Sequence, residues 1–222
     1  GRARAALLGV PAVLAPSAAV TAALWWSDRA SSDLGRGYRD RVAAAREVTD
    51  AFFAYRLGAR AEAGTRFEAV LANDPGSALA LLGRLLCALS ANDADDLDRT
   101  LNAHPAIVDA HPMSGWFRVE ARRLQRRDDE ATAATAMLPA EPPPHAVDWF
   151  VQGVRESWRG REGDASHFRS SLRAIEQAIL LDRSEVRTPI FHVYAAEMAA
   201  LCGDTDSARQ AAKAIETLWP DS

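Results

Sequence analysis

Lysine is almost missing from this chain. Lys213 is the only one among 222 residues, so nearly all the positive charge is arginine. Acidic residues outnumber basic ones by 30 to 26, a net charge of −4. That excludes a protein held to nucleic acid by bulk positive charge. Cysteine is scarce too. Cys87 and Cys202 stand far apart in apolar runs, so no disulfide scaffold is expected and both thiols read as small hydrophobes. Chemical motifs are absent: no G-x-x-x-x-G-K-[ST], no G-x-G-x-x-G and no G-x-S-x-G. The histidines at 104, 111, 145, 167 and 192 make no H-x-x-x-H pair and partner no C-x-x-C. No catalytic residue, metal ligand, cofactor or small-molecule substrate is expected, and the chain does not read as an enzyme.

Two charged clusters have simpler explanations than ligand binding. Asp93, Asp95, Asp96 and Asp98 lack the glycine and distal glutamate of a calcium loop. They read as a solvated turn with acids at a helix start. Arg122, Arg123, Arg126 and Arg127 precede Asp128, Asp129 and Glu130, which places cations at one helix end and anions at the next start. No aromatic residues interleave with these arginines, so nucleic acid is not expected as a partner.

What is present begins with a long uncharged run. From Ala5 to Trp26 no residue is charged. Roughly 20 apolar residues cross a bilayer, and Trp25 and Trp26 occupy the position of an interfacial belt. Residues 1–28 are therefore expected to be a membrane anchor, followed by a linker over 29–39. A cleaved export signal and a buried helix pair are the competing readings, the latter favoured by Pro11 and Pro16. A membrane-associated protein follows from the first reading. The arginines on both flanks leave open the side on which the remainder lies.

From residue 40 to 222 the pattern is helical throughout. Val42, Ala45, Val48, Phe52 and Tyr55 recur at helical spacing. Leucines and Cys87 cover every side of 79–89, which predicts a buried helix. Phe168, Leu172, Ile175, Ala178 and Ile179 form one stripe, and Ala195, Met198, Ala199 and Cys202 another. Asn73-Asp74-Pro75-Gly76 is a turn signal with Ser77 as N-cap. Glu141 to Pro144 predicts a rigid joint within 139–145.

One pattern recurs. Gly58, Ala63, Phe67, Val70 and Pro75 match Gly203, Ala208, Ala212, Ile215 and Pro220 in spacing, with Ala212 in place of the aromatic. Ala63-x₃-Phe67 with Pro75 resembles the second helix of the tetratricopeptide (TPR) repeat. The early W-x₂-L-G-x₂-Y element has only partial echoes, in Leu82-Gly83 and in Trp149 with Gly153. The two copies stand 145 residues apart, and the stretch 97–144 fits the pattern poorly.

The resemblance implies an all-α, TPR-like helical hairpin array, an α-solenoid, preceded by a single hydrophobic helix. Together with the uncharged run it implies a membrane-tethered protein-binding scaffold or accessory subunit of a larger membrane complex. A sensor domain of a membrane-anchored regulator and a soluble adaptor are the alternatives. By repeat position the partner groove would include Phe52, Tyr55, Leu82, Leu86 and Glu197. Such an apolar lining suits an amphipathic partner helix or another subunit.

Overall fold

The computed structural model describes residues 43–182 and 189–218. The uncharged run, its tryptophans Trp25 and Trp26 and the predicted linker lie outside them. The chain divides into two compact units, Gly1–Ala43 and Ala44–Ser222, and the helices below belong to the second. Among the described residues there is no strand, and no helix is long and apolar enough to cross a membrane.

The helices pair into five hairpins. The first joins α1 (residues 43–56) to α2 (Arg60–Asn73). The second joins α3 (Ala78–Ser90) to α4 (Ala94–Ala103). A short helix α5 (Pro105–Ala110) and a 3-10 turn (Pro112–Gly115) then lead into α6 (Trp116–Leu124), which pairs with α7 (Asp128–Ala136). The fourth hairpin is α8 (Ala146–Arg161) with α9 (Ser166–Leu181), and the fifth is α10 (Pro189–Leu201) with α11 (Thr205–Leu218).

The five turns are built alike. Each first helix ends two residues before a left-handed position: Gly58, Asn92, Arg126, Gly163 and Gly203, with φ of 88°, 55°, 58°, 129° and 73°. The amide two residues past the helix end donates to the carbonyl three residues back, as in Gly58 to Tyr55 and Arg126 to Arg123. In four of the turns the next amide closes a longer bond: Ala59 to Ala54, Asp93 to Ala88, Arg127 to Arg122 and Asp204 to Ala199. This is the Schellman closure, which satisfies carbonyls the helix leaves open. Successive turns are 34, 34, 37 and 40 residues apart, against a TPR period of roughly 34. The region that fits the sequence pattern poorly therefore holds ordinary hairpins. Their glycine is replaced by Asn92 and Arg126.

Capping follows the sequence. The Ser77 hydroxyl accepts from Ala80 N at 3.4 Å, and Asp93 accepts from Asp96 N at 2.9 Å. Asp164 and Asp204, both exposed, start α9 and α11. Asp164 is held below the usual carboxylate range by hydrogen bonds from the Ser166 hydroxyl and amide. Asp204 is lowered in the same way by Ser207. The acidic cluster is only partly a solvated turn, however. Asp96 is buried and pairs with Arg84 at 2.6 Å. Asp98 accepts from Arg122 at 2.5 Å, tying α4 to α6. Arg122 and Arg127 also reach Glu130 across the third turn.

Each second helix packs on the next first helix, α2 on α3, α4 on α6 and α9 on α10. At the fourth hairpin α8 instead seats on the turn 112–115 and on α3. The loop 137–145, where a rigid joint is predicted, connects α7 to α8 within this one unit. Two glycines permit the closest approaches. A Cβ on Gly83 would lie 2.1 Å from the Phe67 ring, and one on Gly153 would lie 2.5 Å from Ile175. These are the two partial echoes of the repeat's early pattern. The Ala63 copy is buried with Phe67. In the second copy Ala212 is exposed and Ala211 takes the buried position.

The core is continuous. Phe67 meets Phe52 at 4.9 Å between ring centroids, Phe52 meets Phe150 at 6.5 Å, and Phe150 meets Phe191 at 4.7 Å and Tyr194 at 4.9 Å. One aromatic line thus joins α2, α1, α8 and α10, drawing the first hairpin against the last.

Candidate interaction groove

Of the sequence-assigned groove positions three are buried and two, Tyr55 and Glu197, are partly exposed. Phe52, Leu82 and Leu86 are at most 3% exposed and belong to the shared core. Tyr55 is half-buried, and its hydroxyl shares a 2.7 Å hydrogen bond with Ser90 on α3. Burial raises its pKa. Glu197 on α10 pairs with Arg56 on α1 and with Arg161 at 2.9 Å. Arg56 also lies 5.2 Å over the Tyr194 ring. Burial alone would lower the Arg56 pKa, but Glu197 and neighbouring groups raise it. So the structure brings α1, α3 and α10 together at these residues. Tyr55 meets α3, and Glu197 meets α1 and α8.

An open groove lies elsewhere, at the end of the array. Its walls follow from helical spacing. Leu172, Glu176, Ile179 and Leu180 share one face of α9, at steps of four, three and one. Ser207, Gln210, Ala211 and Ala214 share one face of α11, and His192 and Ala195 of α10 supply the floor. The groove encloses about 370 Å³. Its base is apolar and small: Leu172, Ala195 and Ala211 are buried. Its rim carries Glu176, Gln210 and Leu180, the last 76% exposed. Ala195 and Ala211 keep the base of the groove free of bulky side chains. The sequence stripe Leu172–Ile179 marks α9 as amphipathic. It does not reveal that α11 leaves the end of that stripe uncovered.

A catalytic constellation is not assembled among the described residues. Asp148 is fully buried and accepts from Met113 N and from His111 Nδ1, both at 3.0 Å. The spacing of the histidines in the sequence does not reveal this pair. It resembles the orienting half of a triad, but the nearby buried Ser114 hydroxyl makes no hydrogen bond with a base. The pair instead anchors the turn 112–115 to α8. No group of three metal-ligating side chains occurs among the described residues. Cys87 is buried, and burial pushes its thiol up to about 11, which leaves it unreactive at neutral pH.

No family model matches the sequence, and no curated protein matches it. Among solved structures, the chain is similar to a thermophilic TPR protein of Thermus thermophilus. The identity is 17% and the TM-score 0.42, covering 81% of this chain and 93% of that one. It is also similar to MamA, residues 41 to the end, from Desulfovibrio magneticus RS-1. There the identity is 16% and the TM-score 0.37, covering 81% of this chain and 98% of that one.

Proposed function

We propose that this chain is a TPR-like protein-interaction scaffold that receives an amphipathic helix of a partner protein in the groove between α9 and α11. The observation that carries the proposal is the groove itself: two helix faces lining it over about 10–12 Å, an apolar base and a largely polar rim. That combination fits a helix presenting anchors at i, i+3, i+4 and i+7. The hairpin period near 34 residues supports the TPR-like assignment.

The uncharged run from Ala5 to Trp26 supports a further reading, that the scaffold is tethered at a membrane as an accessory subunit. Release of the intact protein from membranes by carbonate washing would contradict it.

Photo-crosslinking tests the groove. A photoreactive residue at position 180 in the intact chain is expected to capture a segment with helical apolar spacing. The same probe at the exposed Met137 is the control. Equal capture of the same segment from both positions refutes the assignment.

A further inference from the structure

One face of α8 carries a second feature, formed by residues other than those that line the apolar groove. Gln152, Arg155 and Arg159 recur at steps of three and four and share one face. Trp149 and Trp158, packed partly against the core, run along its edges. Arg123 and Glu120 of α6 act electrostatically on Arg155.

The pairing there is uneven. Glu120 accepts from Arg123 at 2.7 Å and from Trp116 Nε1 at 2.8 Å. Glu156 accepts from His167 at 2.6 Å, Gln152 at 3.0 Å and Arg159 at 3.4 Å. Both carboxylates are occupied. Arg155 has no carboxylate of the described residues within 4.0 Å, and its one hydrogen bond, 3.4 Å long, is to the neutral Gln152 amide. Arg56 is matched by Glu197, Arg84 by Asp96 and Glu68, and Arg122 by Asp98, whereas Arg118 of α6, also half-buried, shares the unmatched state of Arg155. Burial first, then Arg159 and Arg123, lower the Arg155 pKa against the pull of Glu156 and Glu120. A partly desolvated cation without a counterion is costly to hold. Its planar fork, with most of five donors unused, fits a carboxylate bidentately.

We propose that the Arg155 face of α8 binds a carboxylate of an acidic partner segment, with Trp149 and Trp158 as flanking contacts. Arginine and tryptophan are the residues that most often dominate an interface; Glu120 and Glu156 are engaged and Glu162 acts on Glu120, so the attraction rests on the unfilled Arg155 fork and not on net charge. The inference does not depend on the α9–α11 groove, with which it shares no residue.

The test uses the full chain and a fluorescein-labelled 14-residue peptide with glutamate at every third or fourth position. Its glutamine counterpart is the comparison. The acidic peptide is expected to bind at least tenfold tighter. Arg155→Gln should weaken it about tenfold, and Arg155→Lys, which keeps the charge but loses the fork, several-fold. Arg209→Gln, a change at a surface arginine on α11, should leave binding unaltered, and thermal melts should show all variants folded. No binding, or equal weakening by Arg155→Gln and Arg209→Gln, overturns the proposal. Equal affinity for a phosphoserine counterpart overturns the carboxylate assignment.

Discussion

Arg56 on the first helix is paired with Glu197 on the tenth, and Arg56 also stacks over Tyr194. Residues far apart in sequence thus hold the first and last hairpins together. Both side chains are about one-quarter exposed, so solvent screens the pair and its contribution is modest. Glu197→Gln should cost about 1 kcal/mol. Urea denaturation with a Glu197→Gln, Arg56→Gln double-mutant cycle measures it. A coupling energy indistinguishable from zero would show that the ends are joined by the aromatic line alone.

Gly83 sets the approach of α3 to α2. A methyl group there meets the Phe67 ring at 2.1 Å, and a close-packed core absorbs such overlap poorly. Gly83→Ala should destabilise the protein by about 1–3 kcal/mol. Adding Phe67→Leu should recover part of that loss. Additive effects of the two substitutions would place the strain elsewhere.

Arg126 holds φ of 58° at the third hairpin turn, a conformation that glycine adopts without penalty. Arg126→Gly should raise stability by about 0.5–1 kcal/mol, visible as a higher denaturation midpoint at unchanged slope. A lowered midpoint would mean that the arginine side chain contributes more than its backbone costs.

The same backbone explains why the repeat period is hard to read in the sequence. Gly58, Asn92, Gly163 and Gly203 are residues that mark a left-handed turn in sequence, whereas Arg126 adopts the same conformation without such a residue. Pro105, where α4 gives way to α5, obscures the period further. The all-helical class, the buried α3 and the Ser77 cap are legible because they depend on local spacing and capping chemistry. The groove is not. Phe52, Tyr55, Leu82 and Leu86 are apolar or aromatic on a helix face, and spacing cannot say whether such a face meets a partner or the chain's own last hairpin. That depends on curvature, set by contacts such as Phe52 with Phe150.

Cys87 gives the alkaline behaviour a sign. Its native pKa of about 11 stands above the ordinary 9.0. A raised native pKa means the stabilisation is complete below pH 9 and is lost as pH climbs through about 11. The stability advantage of the wild type over Cys87→Ala should therefore shrink over that window, measured by urea titrations from about pH 7 to about pH 11. In the native state at about pH 8, iodoacetamide should label the partly exposed Cys202 and leave Cys87 unmodified. Rapid labelling of Cys87 would contradict its burial.

The most direct test of the proposed interaction role is the affinity of any segment captured by the crosslinking probe, made as a labelled helical peptide, for wild-type protein and two groove variants. Ala214→Trp fills the groove, and Leu180→Glu places a charge on its rim. Each is expected to weaken binding at least tenfold, about 1.4 kcal/mol, with melting unchanged. Unaltered affinity in both variants would contradict the assignment of the α9–α11 groove as the binding surface.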